Sequence, residues 1–246
     1  MKTIILYIIR IITILLISVQ AFAYTLKDYE GLLVELSKDE YKVVCLKDFD
    51  VTNCDDKIVV ALRHDIDRDM EMAYRIAILE QAYKIKSSYY VLHTAKYYND
   101  SMINALWKMQ FIGHEIGWHN DLVTCSVLCN IPADRFLRTE LNWLESNGIN
   151  IVGTAAHGSK YCYERGFHNN YIWAGQDTIG NFNNLNICSK LDMNNYFKYE
   201  VYSLKADVYL SDCRGFIPSM FGEYELGTKI IILIHPCRVQ DAKTQM

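Results

Sequence analysis

The chain has 246 residues, 51% of them hydrophobic and 22% charged, an ordinary globular balance that suffices for one substantial core. A net charge of −4 makes it a poor candidate for non-specific nucleic-acid binding. With only three prolines, no internal repeat and no Pro/Gly-rich linker, nothing divides the chain into several domains.

Residues 1–23 read as a cleaved secretory signal. Lys2 gives a positive start, a mostly apolar run reaches Val19, and Ala21-Phe22-Ala23 supplies the small-residue end. Arg10 interrupts the run and leaves Ile11 to Val19 as its apolar core, which is too short to span a bilayer. An uncleaved membrane anchor is the alternative. Cleavage takes Lys2 and Arg10 from the total of −4 and no acid, so residues 24–246 carry −6. They are expected to form one exported domain, periplasmic or extracellular, with no stable membrane span.

All eight cysteines lie in that part, which in an exported protein suggests disulfides. Cys45 and Cys54 could close a short loop, and Cys125 and Cys129 could pair if the local geometry allows. A thiolate zinc site is disfavoured because no C-x-x-C pair occurs.

From Tyr24 to Ser37, Leu26, Tyr29, Leu33 and Leu36 recur at helical spacing. Val43 to Leu46 is a short strand, and Asp48 to Lys57 is polar turn material. Ile58-Val-Val-Ala-Leu62 reads as a strand buried on both faces, with Arg63, His64, Asp65 and Asp67 where it should end. Alternation puts Arg63, Asp65 and Asp67 on one face and His64 and Ile66 on the other. Two carboxylates so placed can divide the work, one binding a metal and the other taking a proton. The bland alternative is that Asp67 and Asp69 only cap the next helix.

That helix spans Asp69 to Tyr83, with Met72, Ile76, Leu79 and Tyr83 as its apolar stripe. Ser87 to Leu92 is a strand, Ser101 to Met109 a helix, and Gly113 to His119 a short strand with glycines at 113 and 117. Pro132 to Asn147 is the clearest helix, opened by Pro132 and ended by Gly148. Ile149 to Ala156 is a strand that runs into His157-Gly158. Ser159 to Lys205, rich in Asn, Tyr and Gly, reads as long loops and short strands over one face. Asp207 to Leu210 and Lys229 to Ile234 are strands that run into Ser-Asp212-Cys-Arg214 and His235-Pro236.

Alternating strands and helices with polar strand ends argue for a parallel barrel or a doubly wound sheet, whose ligands sit at the carboxyl ends of strands. Asp67 with His119 suits zinc or a similar divalent ion, and His157 is the best third ligand by position. His93, His114 and His168 are read as structural, His119 and His235 as functional. Trp118, Trp173 and the tyrosines could stack on sugar rings, although most aromatics in such a chain are core.

The motifs LRHDID, GHEIGWHND, AAHGS, YLSDCR and ILIHP, in that order and spacing, resemble the polysaccharide deacetylases of carbohydrate esterase family 4, the NodB-homology group, and most closely a branch with R-H-D-x-D. The resemblance covers the chain from about Tyr24 onward. It implies a distorted (β/α) barrel and metal-dependent removal of acetyl groups from an N-acetylated carbohydrate. By the same resemblance Asp65 matches the catalytic base, Asp67 and His119 the metal ligands, and His235 the general acid. Asp212 and Arg214 match the motif that orients catalytic groups, and Arg63 could keep the base ionised. The family's second metal histidine is replaced by Val123, so that His157 supplies the ligand, water does, or the metal is lost. The alternative function is a catalytically silent relative that binds glycan or a partner protein.

Overall fold

The computed structural model describes residues 24–175, 190–215 and 221–241. The leader and Cys188 lie outside the described residues. Two short strands, β1 (Tyr24–Thr25) and β10 (Val239–Gln240), pair with each other and tie the two ends of the described chain together. The main sheet contains β2 (Tyr41–Val44), β3 (Ile58–Ile66), β4 (Ser88–Leu92), β5 (Glu115–Asn120), β6 (Ile151–Ala156), β7 (Tyr199–Glu200), β8 (Val208–Ser211) and β9 (Lys229–Ile234). Every pairing in it is parallel.

Its order is β7-β6-β5-β4-β3-β9-β8. One edge of β3 is taken by β9; the other is shared, β2 lying along its first half and β4 along its second. Followed in chain order, the strands run round from β3 to β7 and return through β8 and β9, with no pairing between β7 and β8 among the described residues. The sheet is curled: Val59, Ala61, Tyr90, Ala155, Tyr199 and Ile231, from five different strands, meet in one buried cluster. The expected distorted barrel is therefore present, as an incomplete one.

Alternation along β3 explains both faces. Val59 and Ala61 point into the barrel, and Ile58, Val60, Leu62 and Ile66 join the outer core under the helices. A single helical turn, α2 (Leu46–Phe49), sits within the stretch expected to be strand end and polar turn, and its Leu46 and Phe49 close the inner cluster. Burying each stabilises the fold by roughly 1.5–3 kcal/mol. Gly117 faces inward too; a Cβ there would stand 2.4 Å from Tyr90 Cε1, so the glycine makes room for a ring.

The outer layer follows local rules. A capping box between Thr25 and Asp28 starts α1 (Leu26–Leu36). Asp69, not Asp67, caps α3 (Met70–Ala82), accepting from the Met72 N–H at 2.9 Å. Asn99 caps α4 (Asp100–Phe111). An additional helix without a periodic signature, α5 (Leu122–Cys129), is followed by α6 (Ala133–Ser146), whose Leu137 and Leu144 are buried. Gly148, at φ +76°, turns the chain out of α6 toward β6.

Among the described residues the expected disulfides are not formed. The seven cysteines among the described residues are free. Cys45 is buried with its sulfur 3.6 Å from the Ser87 carbonyl, while Cys54 lies on the more open loop beyond α2. Cys125 and Cys129 are successive-turn residues of α5, a spacing that a rigid helix does not bring into bonding geometry.

Behind β3 lies a buried polar knot. Glu80 of α3 accepts from Tyr29 and Tyr89 hydroxyls and from His64 Nε2 at 2.8 Å, with His64 stacked on the Tyr89 ring. Burial pushes the Glu80 carboxyl up, but His64, His114 and the Tyr29 hydroxyl outweigh it and bring it down to about 2. The ionised form therefore stabilises the fold above the ordinary Glu range, and that contribution is lost as pH falls toward about 2. Glu80→Ala strands three buried partners and should lower the free energy of unfolding by about 3–5 kcal/mol in a urea titration. A loss below about 1 kcal/mol would show that the knot is not holding α3 to the sheet.

Candidate active site

A cleft of about 820 Å³ opens at the carboxyl ends of the strands. The continuation of β3 carries the acids into it. Arg63 and Asp65 face the barrel side with Val59 and Ala61, and His64 turns away to Glu80, as the alternation requires. Arg63 grips Asp65 with both ends of its guanidinium, Nε to Oδ1 at 2.8 Å and Nη2 to Oδ2 at 2.7 Å. Its remaining nitrogen donates to the Tyr209 hydroxyl at 3.1 Å. Burial alone would raise the Asp65 pKa, but Arg63, His119 and His235 outweigh it and bring it down to about 2.

From β5 comes His119. Its Nδ1 donates to the Ala155 carbonyl at 2.9 Å, an oxygen that can only accept, which leaves Nε2 as the ring nitrogen turned toward the two acids. That Nε2 stands 3.4 Å from Asp65 Oδ2 and 3.5 Å from Asp67 Oδ1. Although these distances are nearly equal, the two acids differ in their other partners. Both oxygens of Asp65 are held by Arg63, whereas Asp67 Oδ1 is buried without a hydrogen-bond partner.

His157 follows β6 and completes a group. Asp67, His119 and His157 present ligand atoms that all lie within 4.8 Å of one another. One carboxylate oxygen and two imidazole nitrogens with an orphaned buried oxygen among them are a donor set that fits a zinc-like divalent ion. Val123 is buried at the start of α5, and its N–H donates to Asn169 Oδ1 at 3.0 Å.

Asp121 supports His157 from behind, with Oδ2 3.6 Å from His157 Nδ1, close enough for charge attraction though long for a hydrogen bond. Burial works against charge on His157, but Asp121, with Asp67 and Asp65 beyond it, outweighs burial and raises the pKa. Asp121 is itself fixed by Asn169 at 2.8 Å and by Thr94 at 3.1 Å, and its N–H donates to His93 Nε2 at 3.0 Å. Asp121→Asn should weaken metal binding by roughly 10–100-fold, the usual effect of losing a group that orients a ligand. Competition with a chromophoric chelator measures it; unchanged affinity would mean that His157 needs no such support.

On the opposite wall, His235 follows β9 and Asp212 follows β8. Asp212 is fully buried and accepts from the His235 backbone N–H and from its Nδ1, both at 2.7 Å. Burial disfavours the imidazolium, but Asp212, Cys213 and Asp65 outweigh it and push the His235 pKa up to about 11. Arg214 is exposed and does not line the cleft. The guanidinium that reaches this pair belongs to Arg238, whose Nη1 donates to the Asp212 carbonyl at 3.3 Å and Nη2 to Cys213 Sγ at 3.6 Å.

Sequence reasoning did not single out Arg238, Tyr209, Asp121 or Asn169. Arg238, three residues beyond His235, is the one a closer look at strand ends could have found. Asn169 gave no signal, because its value lies in linking Asp121, Val123 and the His157 carbonyl, which come together only in the fold.

No protein-family model matches the chain, and neither does any curated protein. Among solved structures it is similar to a family 4 carbohydrate esterase from Bacillus anthracis, with 13% identity and a TM-score of 0.40 over 84% of this chain and 76% of that one. It is also similar to the Xyl-CE4 domain of a multidomain xylanase from the hindgut metagenome of Trinervitermes trinervoides, with 14% identity and a TM-score of 0.37 over 72% of this chain and 73% of that one. At such identities the likeness is one of chain path, and the chemistry must be read from the cleft itself.

Proposed function

We propose that the chain is a divalent-metal-dependent hydrolase that removes acetyl groups from an N-acetylated carbohydrate. The observation that carries this reading is the convergence, in one cleft, of a three-donor group, a clamped carboxylate and a charged imidazole. Asp67, His119 and His157 would hold the ion, with zinc favoured by the donor set. When bound, the ion supplies Lewis acidity toward the amide carbonyl and lowers the pKa of water.

The chain's own residues would do the rest. Asp65, kept anionic by Arg63, accepts the proton of the attacking water. His235, kept protonated by Asp212, donates to the amide nitrogen as it leaves. Without that proton the amine is a very poor leaving group. A glycan-binding protein without catalysis would need neither a clamped base nor a held proton.

The test is metal analysis of the purified protein together with acetate release from an acetylated chito-oligosaccharide. Stoichiometric divalent metal, and acetate release abolished by chelator and restored by zinc, are the expected results. Protein that holds metal yet releases no acetate from any acetylated glycan would sink the enzyme reading.

A further inference from the structure

Cys213 carries out no step of the proposed reaction, yet its sulfur sits beside the acid. It follows β8 directly after Asp212, is exposed, and lines the cleft. Its Sγ lies 3.9 Å from His235 Nδ1. Asp212 Oδ1 lies 2.7 Å from the same nitrogen. Asp212, Cys213 and His235 thus present an oxygen, a sulfur and a nitrogen that all lie within 4.8 Å of one another. None of the three belongs to the group of Asp67, His119 and His157.

Their spacing is close to what an ion needs. Zinc bonds of about 2.1 Å to nitrogen or oxygen and about 2.3 Å to sulfur, set tetrahedrally, keep neighbouring donors roughly 3.4–3.6 Å apart. The sulfur and the imidazole nitrogen are already near that separation. The carboxylate oxygen is nearer because a proton lies between it and Nδ1, and it has to withdraw by roughly 0.7 Å. Asp212 is fully buried, so the entrance is on the side of the sulfur.

Two charges oppose a cation here. His235 Nδ1 has to give up the proton that Asp212 holds on it, and the thiol its own; both go to solvent. Arg238 stands beside the sulfur, with Nη2 3.6 Å from Sγ and Nε 3.9 Å from Asp212 Oδ1. Those contacts are long, and the Arg238 side chain is 31% exposed, which leaves it room to turn outward. A hard cation such as magnesium gains too little from these donors to overcome that opposition. An ion with high affinity for thiolate gains most, because sulfur is the donor that the first group lacks.

We propose that Asp212, Cys213 and His235 form a second cation site, selective for thiophilic divalent ions such as zinc or cadmium, that silences the hydrolase when filled. The ion takes the place of the proton on His235 Nδ1 and takes Asp212 as a ligand, so the imidazolium needed as acid no longer forms. The silencing rests on the proposed function; the site itself does not.

Cobalt(II), a coloured stand-in for zinc, reads the site without turnover, because a bound thiolate gives it an intense near-ultraviolet charge-transfer band. Metal-free wild-type protein should bind about two equivalents and show that band. His119→Ala and Asp67→Ala, which break the first group, should bind about one equivalent and keep the band. Cys213→Ser should bind about one equivalent without it. Cys237→Ser, at another cysteine lining the cleft, should keep the band. Wild-type protein without a band, or a band that survives in Cys213→Ser, overturns the site. So does a band lost in both His119→Ala and Asp67→Ala, which would make the sulfur part of the first centre. Acetate release is the second readout. Zinc beyond one equivalent should slow the wild type at least about tenfold, and should not slow Cys213→Ser relative to its own rate at one equivalent. Equal slowing of the two overturns the silencing. Protein that never releases acetate but shows the Cys213-dependent band rejects the hydrolase and leaves the second site standing.

Discussion

Asp67→Ala should lose its metal, while Asp65→Asn should keep it and lose turnover. The two acids stand almost equally far from His119 Nε2, so proximity does not separate them. Their commitments do. Asp65 spends both oxygens on Arg63, which fixes it as an oriented anion. Asp67 Oδ1 is buried and has no hydrogen bond, a costly state that a cation would relieve. Asparagine at 65 has nearly the same shape but cannot take up a proton, so the rate should drop by about 10²–10⁴-fold. Metal content after gel filtration and acetate release decide the point together. If both variants lose metal equally, the roles are exchanged.

The second large effect concerns pH. As the proposed acid, His235 must be protonated to help the amine leave, and its pKa of about 11 keeps the proton through the whole neutral range. Asp212 is the first of the groups that pull it up, with Cys213 and Asp65 adding to it; Arg238 and Asp67 are further charged groups nearby. Asp212→Asn removes the anion but leaves the burial, which favours the neutral ring. The proton is then lost at lower pH, and the basic limb of kcat/KM should move down by several pH units. At about pH 9 the variant should be slower by roughly 10²–10⁴-fold, with a smaller deficit in mild acid. An unshifted profile would mean that His235 does not act as the acid. The same proton stabilises the fold: that contribution is complete below the ordinary His range and disappears as pH rises through about 11.

Much of the scaffold was legible because it is written in periodicity. The apolar run at Ile58 ends where charge begins, and the alternation at Arg63, His64, Asp65 and Asp67 gave the correct faces. Lys229–Ile234 is a strand with the expected bounds, and α3 and α6 lie within a residue or so of their capping signals. What stayed hidden has a common cause. Glu80 looks like any helical glutamate until Tyr29, Tyr89 and His64 close around it from three other elements. Arg238 approaches Asp212 only because β8 and β9 are neighbours, and the orphaned oxygen of Asp67 exists only in three dimensions. The α5 helix is almost uniformly apolar, so it has no periodic stripe to read. The cysteine count suggested crosslinks, but pairing depends on geometry that counting does not contain.

The way β3 is flanked has a consequence for biosynthesis. One border of this strand is completed early by β2 and β4, but the other waits for β9, about 170 residues later. A chain made only as far as β8 therefore carries Asp65 on a strand with one bare, apolar-rich edge. His235, which follows β9, can meet Asp65 only once that far-off strand has docked, so the cleft is completed late and the uncovered edge is prone to self-association until then.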